Sequence, residues 1–156
     1  MIIWTWHKFE ELAAGTLYDI LALRQEVFIR EQRCLYPDID YKDQNAMHLL
    51  GIEDNELIAY LRFLPKGIAY PDAASMGRIS LTPHHRGTGL GKLMMKKLLD
   101  YCDQYYPNDG MLIMAQVYLQ PFYDSFGFYA DGEAFDDEGI MHINMRRDIA
   151  SLERKK

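Results

Sequence analysis

The stretch that decides the fold is Ser80-Leu-Thr-Pro-His-His-Arg-Gly-Thr-Gly-Leu-Gly-Lys92. It places Gly87, Gly89 and Gly91 where a predicted strand meets the first turn of a predicted long helix. Glycine inside a helix costs up to about 1 kcal/mol relative to alanine, so a compensating role is expected. Glycine lets the backbone approach a ligand closely, and the unpaired N–H groups at a helix start attract anions. Because Arg86 adds a permanent cation, the stretch predicts an anion-binding site.

These glycines could also belong to a plain strand-to-helix turn, a P-loop or a dinucleotide-binding turn. A P-loop needs glycine at position 86 and serine or threonine at position 93, where this chain has Arg86 and Leu93. A GxGxxG turn starting at Gly87 needs glycine at position 92, where Lys92 stands. Both of these phosphate loops are therefore excluded, whereas the plain turn stays open.

Outward from this stretch, the hydrophobic pattern predicts an α/β (α+β) domain with a mixed sheet. The predicted strands cover 2–6, 47–53, 56–64, 74–82, 111–117 and 140–147, and the predicted helices cover 16–32, 90–106 and 120–126. Asp54-Asn55 is typical of a tight hairpin turn. The strand after it is expected to carry Leu57, Ala59, Leu61 and Phe63 on one face.

Composition limits the class of protein. With 156 residues, 49% of them hydrophobic, the chain is predicted to form a single domain over 1–150 followed by a charged tail over 151–156. The formal net charge of -6 argues against nucleic acid as the main partner, because phosphate binding needs a basic face. The longest apolar run, 111–115, is far short of the roughly 20 residues that span a bilayer. With no secretory signal pattern at the start, we expect no membrane association and a cytoplasmic location.

Cysteine and histidine spacing predicts neither a disulfide framework nor a metal site. Cys34 and Cys102 stand far apart and form no CxxC pair. The five histidines show neither HExxH nor zinc-finger spacing. We therefore expect two reduced, packed thiols and no metal.

Two motifs resemble those of one protein family. Arg86-x-x-Gly89-x-Gly91, placed after a strand, resembles the motif with which the GNAT superfamily of N-acyltransferases cradles the pyrophosphate of coenzyme A. After the next strand, the segment Phe122-Tyr123-Asp-Ser-Phe-Gly127-Phe128 resembles the helix of that family that ends in Tyr-x-x-x-Gly-Phe. Further likenesses identify the chain with the ElaA-like subgroup: Glu31-Gln32 in the first helix, Cys34-x-x-Pro37-x-x-Asp40, and Gly139-Ile140-x-His142-Ile143.

The resemblance implies a largely antiparallel sheet of about six to seven strands flanked by helices, and transfer of an acetyl group from acetyl-CoA to an amine by direct attack. It also implies cofactor contacts. The backbone groups of Ile79 and Leu81 are expected to pair with the pantetheine arm. The remaining implied contacts are Arg86, Gly87, Thr88, Gly89, Leu90, Gly91, Lys92, Gln116 and Phe122. Gln116 departs from the family, since many members have asparagine there.

Acyl transfer to an amine needs an acid for the leaving thiolate and a base for the amine. The resemblance implies that Tyr123 is the acid, and a purely packing tyrosine is the alternative. Glu31, Asp40 and His48 are candidates for the base or for substrate contacts, each with an ordinary structural role as its alternative. The acidic residues of two loops are expected to form a mouth that attracts a cationic amine, or else a solvated surface: Asp38, Asp40, Asp43, Asp136, Asp137 and Glu138.

Two other functions remain open from the sequence. Arg24-x-x-Val27-Phe28 followed by Asp38-x-Asp40-x-x-Asp43 loosely resembles acyl-homoserine-lactone synthases, although the acidic balance disfavours a docking face for a carrier protein. A non-catalytic acyl-CoA sensor is the second, and the presence of Tyr123 argues against it. The identity of the amine stays open, and exposed strand edges make a homodimer possible.

Overall fold

The computed structural model describes residues 1–149, so the tail predicted at 151–156 lies outside the described residues. Its strands are β1 Ile3–Lys8, β2 Met47–Glu53, β3 Glu56–Leu64, β4 Ser75–Leu81, β5 Met111–Gln116, β6 Tyr129–Ala130, β7 Phe135–Asp137 and β8 Ile140–Arg147. Its α-helices are α1 Ala14–Arg24, α2 Leu90–Tyr105 and α3 Gln120–Asp124. The alternation of strands and helices agrees with the order predicted from the sequence.

The strands form two antiparallel groups that meet at one point. The first group has the order β1-β2-β3-β4, and in the second β8 lies between β5 and β6 and also pairs with β7. A single parallel bridge, Ala74 with Met111, joins the two groups within the described residues. The predicted fold class, a largely antiparallel mixed sheet flanked by helices, is confirmed. The two short strands β6 and β7 are additions that the hydrophobic pattern did not reveal.

The hairpin between β2 and β3 turns as predicted but shifts its register. Asp54 and Asn55 both have positive φ, 51° and 65°, as a type I′ turn requires. Gly51 pairs with Ala59 and the next residue of β2 pairs with Leu57, so Ile58 is an extra residue in β3. Because side chains alternate along a strand, the extra residue reverses the face on which Leu57 lies. The expectation that Leu57 shares a face with Leu61 was therefore wrong.

Each face of the first sheet packs against a different helix. On one face Leu61 and Phe63 pack with Met94 and Leu98 of α2. The other face packs against the helical residues 20–28. The side chains in this second cluster are Ile20, Leu23, Val27, Phe28, Leu50, Tyr60 and the partly buried Leu57. Burial of these side chains at about 25 cal/mol per Å² of apolar surface holds the sheet between the two layers.

The first helix differs from its prediction in its second half. It begins at Ala14, and after Arg24 it continues as a π-helical segment, Gln25–Glu31. The Gln32 N–H donates to the Val27 carbonyl at 3.1 Å, the five-residue spacing of a π-helix. Hydrophobic spacing does not distinguish a short π-helical segment from an α-helix, because its apolar residues, Val27 and Phe28, are buried in the core in either case. The segment is the part of the helix that reaches the cleft described below.

The described residues contain neither a membrane-spanning helix nor a metal-binding cluster. No helix within residues 1–149 has the length and apolar character needed to cross a membrane. Nor do those residues bring together three or more histidine, cysteine, aspartate or glutamate side chains that could hold a metal ion. Cys34 and Cys102 are both buried free thiols, and burial raises the pKa of Cys102 to about 12.

Candidate active site

A bulge in β4 prepares one side of a cleft. Tyr60 pairs with Ser80 and Arg62 pairs with Gly77, so two residues of β4, Arg78 and Ile79, stand opposite one residue of β3. Arg78 has a φ of +52°, which an arginine rarely adopts in a strand. Such strain costs on the order of 1–3 kcal/mol and is found mostly at functional sites.

The edge of β4 that faces away from β3 has no strand partner among the described strands. The Thr82 N–H donates to the Ile58 carbonyl at 3.0 Å, and Leu81 and Ser80 stand opposite Ala59 and Tyr60 of β3. Backbone groups alternate in direction along a strand. Those of Ile79 and Leu81 therefore face away from β3, toward the cleft.

The cleft itself is the wedge between β4 and β5. The two strands touch at Ala74, whose N–H donates to the Gly110 carbonyl and whose carbonyl accepts from the Leu112 N–H, both at 2.9 Å. Beyond this contact no ladder pair joins β4 to β5 in residues 1–149. The space that opens between them has a volume of about 380 Å³. Its walls come from the π-helical segment, β3, β4, β5, α3 and the β7–β8 hairpin.

At the open end of the wedge lies the glycine-rich stretch. Gly89 precedes the first residue of α2 with a φ of +87°, and Gly87 has a φ of +71°. No side chain of the described residues caps α2, so its first N–H groups are available to a ligand. The Thr88 hydroxyl donates to the His85 carbonyl at 2.6 Å, which stiffens the loop. Leu90, Gly91 and Lys92 form the first turn of α2, as the sequence predicted.

Arg86 lies at this end and already has two partners. Its Nε donates to the Leu81 carbonyl at 3.2 Å, and its Nη2 donates to Glu31 Oε1 at 2.9 Å. The hydrogen bond and the charge of Arg86 lower the pKa of Glu31, and Glu31 in turn raises the pKa of Arg86. The structure thus brings together two residues that the sequence had assigned to different roles, one to the cofactor and one to the base.

Tyr123 reaches the cleft from α3. Its ring is only 8% exposed and packs edge-on against Phe122 and Phe128, with ring centres 5.2 and 5.9 Å away. Burial raises the pKa of Tyr123 to about 12, so the phenol is protonated at neutral pH. Its hydroxyl has no hydrogen-bond partner among the described residues and is not enclosed by protein atoms, and the side chain lines the cleft. Tyr123 therefore packs against its aromatic neighbours and also has a phenol proton to donate.

Gln116 is the last residue of β5. Its Nε2 donates to Gln32 Oε1 at 3.1 Å, which links β5 to the end of the π-helical segment. Gln116 is one of the residues that line the cleft. Contact with coenzyme A stays a prediction for this residue.

Two of the predicted base candidates, His48 and Asp40, are engaged in hydrogen bonds and ion pairs with other residues of the protein. His48 is fully buried, its Nε2 donates to the Asp43 carbonyl at 2.9 Å, and its Nδ1 lies 2.7 Å from the Tyr60 hydroxyl. Burial lowers the pKa of His48, and the residue does not line the cleft. Asp40 does line the cleft, but both of its oxygens bind Arg62, at 2.8 and 2.9 Å. Burial opposes ionisation of Asp40, yet the bonds and charge of Arg62 outweigh it and hold its pKa far below the usual range.

One of the two acidic loops expected to form a mouth for the amine has its charge balanced by arginines. Asp38 binds Arg24 and Arg78, and Asp43 binds Arg24 and Arg62, with N–O distances between 2.8 and 3.0 Å. Three arginines thus balance the three aspartates of this ionic network, defined as Arg24, Arg62, Arg78, Asp38, Asp40 and Asp43. The sequence pattern did not show this because the arginines come from α1, β3 and β4. Of the second acidic group, Asp137 lines the cleft.

His142 is a cleft residue to which the sequence analysis assigned no chemical role. His142 on β8 is 4% exposed, lines the cleft and pairs directly with Gln116 across the β5–β8 ladder. His142 enters the sequence analysis only as part of the family resemblance. The residues next to it in the chain do not indicate that it faces a cavity. The pairing of β7 with β8, which the hydrophobic pattern missed, encloses it.

Comparison with known proteins finds similar sequences and structures over nearly the whole chain. The acetyltransferase (GNAT) domain model matches residues 18–149. Protein ElaA of Escherichia coli is 38% identical over 151 residues, which cover 96% of this chain and 98% of ElaA. The crystal structure of Escherichia coli ElaA covers 95% of this chain and 100% of its own, with a TM-score of 0.87 and 37% identity.

A crystal structure of an acyl-CoA N-acyltransferase from Pseudomonas aeruginosa is also similar. It is 34% identical, covers 94% of this chain and 99% of its own, and has a TM-score of 0.88. The acyl-homoserine lactone synthase LasI has a TM-score of 0.76, covers 94% of this chain and 89% of its own, and is 16% identical. At that identity the likeness to LasI concerns the fold alone.

Proposed function

The chain belongs to the GNAT family of acyltransferases, and on that premise we propose that it transfers an acetyl group from acetyl-CoA to an amine by direct attack in a ternary complex. The observation that carries the proposal is a path of three features in order. They are the uncapped start of α2, the outward edge of β4 at Ile79 and Leu81, and the phenol of Tyr123, whose side chain lines the cleft.

The path matches the parts of the donor in order. The first N–H groups of α2 and the Arg86 guanidinium suit a pyrophosphate, because both present donors to an anion. The outward backbone groups of Ile79 and Leu81 suit the amides of a pantetheine arm, which would add to β4 like a strand. For that pairing to form, Arg86 must release the Leu81 carbonyl, which it does as it turns to the pyrophosphate.

Tyr123 then acts on the leaving group. Attack by the neutral amine forms the N–C bond, and collapse breaks the C–S bond and leaves charge on sulfur. The buried phenol donates its proton to that sulfur. A backbone N–H at the bulge of β4 polarises the thioester carbonyl during attack, which is oxyanion-type stabilisation.

The test is release of free thiol from acetyl-CoA over a panel of amines: small alkylamines, polyamines, amino acids, and peptides with a free N-terminus or lysine. We expect turnover on at least one class, and its loss in Gly89→Glu, where a carboxylate side chain would occupy the anion site. A matched control is Gly132→Glu, a second positive-φ glycine, on the loop between β6 and β7. Tight acetyl-CoA binding without turnover on any amine would favour the sensor instead. A homodimer and a cytoplasmic location stay predictions.

A further inference from the structure

His142 is held in one orientation at the wall of the cleft. It stands in β8 between Gln116 of β5 and Phe135 of β7, and it pairs with each of them across the sheet. Residues directly opposite in a ladder project from the same face, so these three side chains point together. The imidazole ring is inclined by 27° to the Phe135 ring, with the ring centres 6.3 Å apart.

The hydrogen bonds of the ring fix its tautomer. Nδ1 lies 2.8 Å from the Ile140 carbonyl, which can only accept, so Nδ1 carries the proton. In a neutral imidazole the other nitrogen, Nε2, then has a free lone pair. Nε2 has no partner among the described residues, yet it is not one of their enclosed polar atoms, although the residue as a whole is only 4% exposed. Its remaining surface therefore opens on the cleft that the side chain lines.

We propose that His142 Nε2 is the base that takes the proton from the amine. The proposal rests on the function proposed above. An alkylammonium first gives one proton to Nε2, which passes it to solvent, and the neutral nitrogen attacks the thioester carbon. As the N–C bond forms, the nitrogen becomes positive and gives its second proton, through water, to the phenolate of Tyr123. That phenolate arises when Tyr123 protonates the departing sulfur, so one proton ends on the thiol and one in solvent.

The other bases near the cleft are less suited to this step. Asp40 is a weak base because two bonds to Arg62 hold it ionised. His48 has both ring nitrogens engaged away from the cleft. Glu31 does not line the cleft, and its partner Arg86 lies at the other end of the wedge. His142 Nε2, by contrast, has no partner among the described residues, and its side chain lines the cleft.

Charged and titratable groups around the cleft set the field at His142. From β7, Asp137 shares its hairpin and favours a cationic amine next to the imidazole. From α3, the phenol of Tyr123 is neutral at working pH. The cleft wall contains six further titratable residues: Tyr36, Asp40, Lys42, Arg62, Tyr70 and Arg78. Asp40 is paired to Arg62, so the carboxylate on the β7–β8 side is the one left to meet the ammonium.

The test compares His142→Gln with the wild-type protein on two kinds of amine. One is the strongly basic amine that the wild type uses fastest in the panel, and the other is methoxyamine, which is already neutral at pH 7. With the basic amine we expect kcat/KM to fall about 100-fold, the usual share of a general base. With methoxyamine we expect a fall of less than about fivefold, because no proton needs to be removed before attack.

The pH profile gives a readout that a structural role would not produce. For the basic amine, wild-type kcat/KM should rise and then level off, whereas the variant should keep rising up to the pKa of the amine. His7→Gln, on β1 away from the cleft, is the matched control and should match the wild type. An equal loss on both amines with the wild-type profile retained would overturn the inference.

Two further results separate this inference from its premise. A wild-type protein that turns over no amine would refute the proposed function itself. Turnover that His142→Gln leaves unchanged would refute only the role of His142. Should the variant not fold, nitrogen-15 NMR of the wild type decides the matter: a proton on Nδ1 and none on Nε2 at neutral pH supports the inference, and the opposite tautomer overturns it.

Discussion

Arg86 Nη2 lies 2.9 Å from Glu31 Oε1, so a carboxylate of the π-helical segment already binds the guanidinium that the sequence assigned to the pyrophosphate. A pyrophosphate must compete with that carboxylate for the guanidinium. We therefore predict that Glu31→Gln binds acetyl-CoA more tightly. Exposed pairs of this kind contribute about 0 to 1 kcal/mol, which corresponds to a gain of up to about fivefold in affinity.

Calorimetric titration with acetyl-CoA measures this gain. Glu26→Gln is a suitable control because Glu26 pairs with Arg30 on the same segment, at 2.9 Å, away from the cleft. It should leave affinity unchanged. A different result, in which Glu31→Gln keeps its affinity but loses kcat, would assign Glu31 to the base instead.

Arg86→Ala tests the pyrophosphate contact by itself. Charge-assisted hydrogen bonds contribute about 1.5–3 kcal/mol, so KM for acetyl-CoA should rise roughly 10- to 100-fold. S-acetylpantetheine carries the same thioester without a pyrophosphate, and its kcat/KM should change little. Equal losses with both donors would show that Arg86 acts through the shape of the cleft, for example through its bond to the Leu81 carbonyl.

Tyr123→Phe should lower kcat about 100-fold, since the departing sulfur loses its proton donor, while the affinity for acetyl-CoA stays close to that of the wild type. Because the pKa of Tyr123 is raised to about 12, the phenol stays protonated through pH 10, and no alkaline loss of activity from this group is expected in that range. Tyr118→Phe, an exposed tyrosine of the preceding turn, is the control. Undiminished kcat in Tyr123→Phe would leave Tyr123 a packing residue.

The parts of the fold that the sequence predicted are those with local signals. The glycines before α2, the Asp54-Asn55 turn and the buried strand over 111–116 each follow from short patterns that physical chemistry restricts to few conformations. The path along β4 could be predicted only through the family resemblance. Its bulge at Arg78 has no glycine at the strained residue to announce it.

The parts that the sequence did not predict depend on pairing between distant segments. Asp40 was a candidate base, but Arg62, which neutralises it, comes from β3, 22 residues later. His142 looked like an ordinary strand residue because the strand that encloses it, β7, is three residues long and mostly acidic. Long-range ion pairs and short edge strands leave little periodic signal, so the sequence neither showed the partners of Asp40 nor singled out His142.

Asp43 provides the last prediction, because it joins two buried arginines. Its Oδ1 accepts from Arg24 Nη1 at 2.8 Å and from Arg62 Nη1 at 3.0 Å, and all three side chains are less than 10% exposed. Removing one partner of a buried ionic group leaves uncompensated charge, so Asp43→Ala should lower the free energy of unfolding in urea by about 3–5 kcal/mol. Asp100→Ala, which breaks an exposed pair with Lys96, should cost about 0.5 kcal/mol or less.

The same pair of bonds predicts how stability depends on pH. Burial alone would raise the pKa of Asp43, but Arg24 and Arg62 outweigh it and lower that pKa below its value in the unfolded chain. A lowered folded-state pKa means that the unfolded chain binds protons first as the pH falls. The contribution of Asp43 is therefore complete above about pH 4, the ordinary range of an aspartate, and is lost progressively below it. Urea unfolding from pH 7 to pH 3 should show the gap between wild type and Asp43→Ala narrowing only below that point, and a gap that narrows near pH 6 would contradict the assignment.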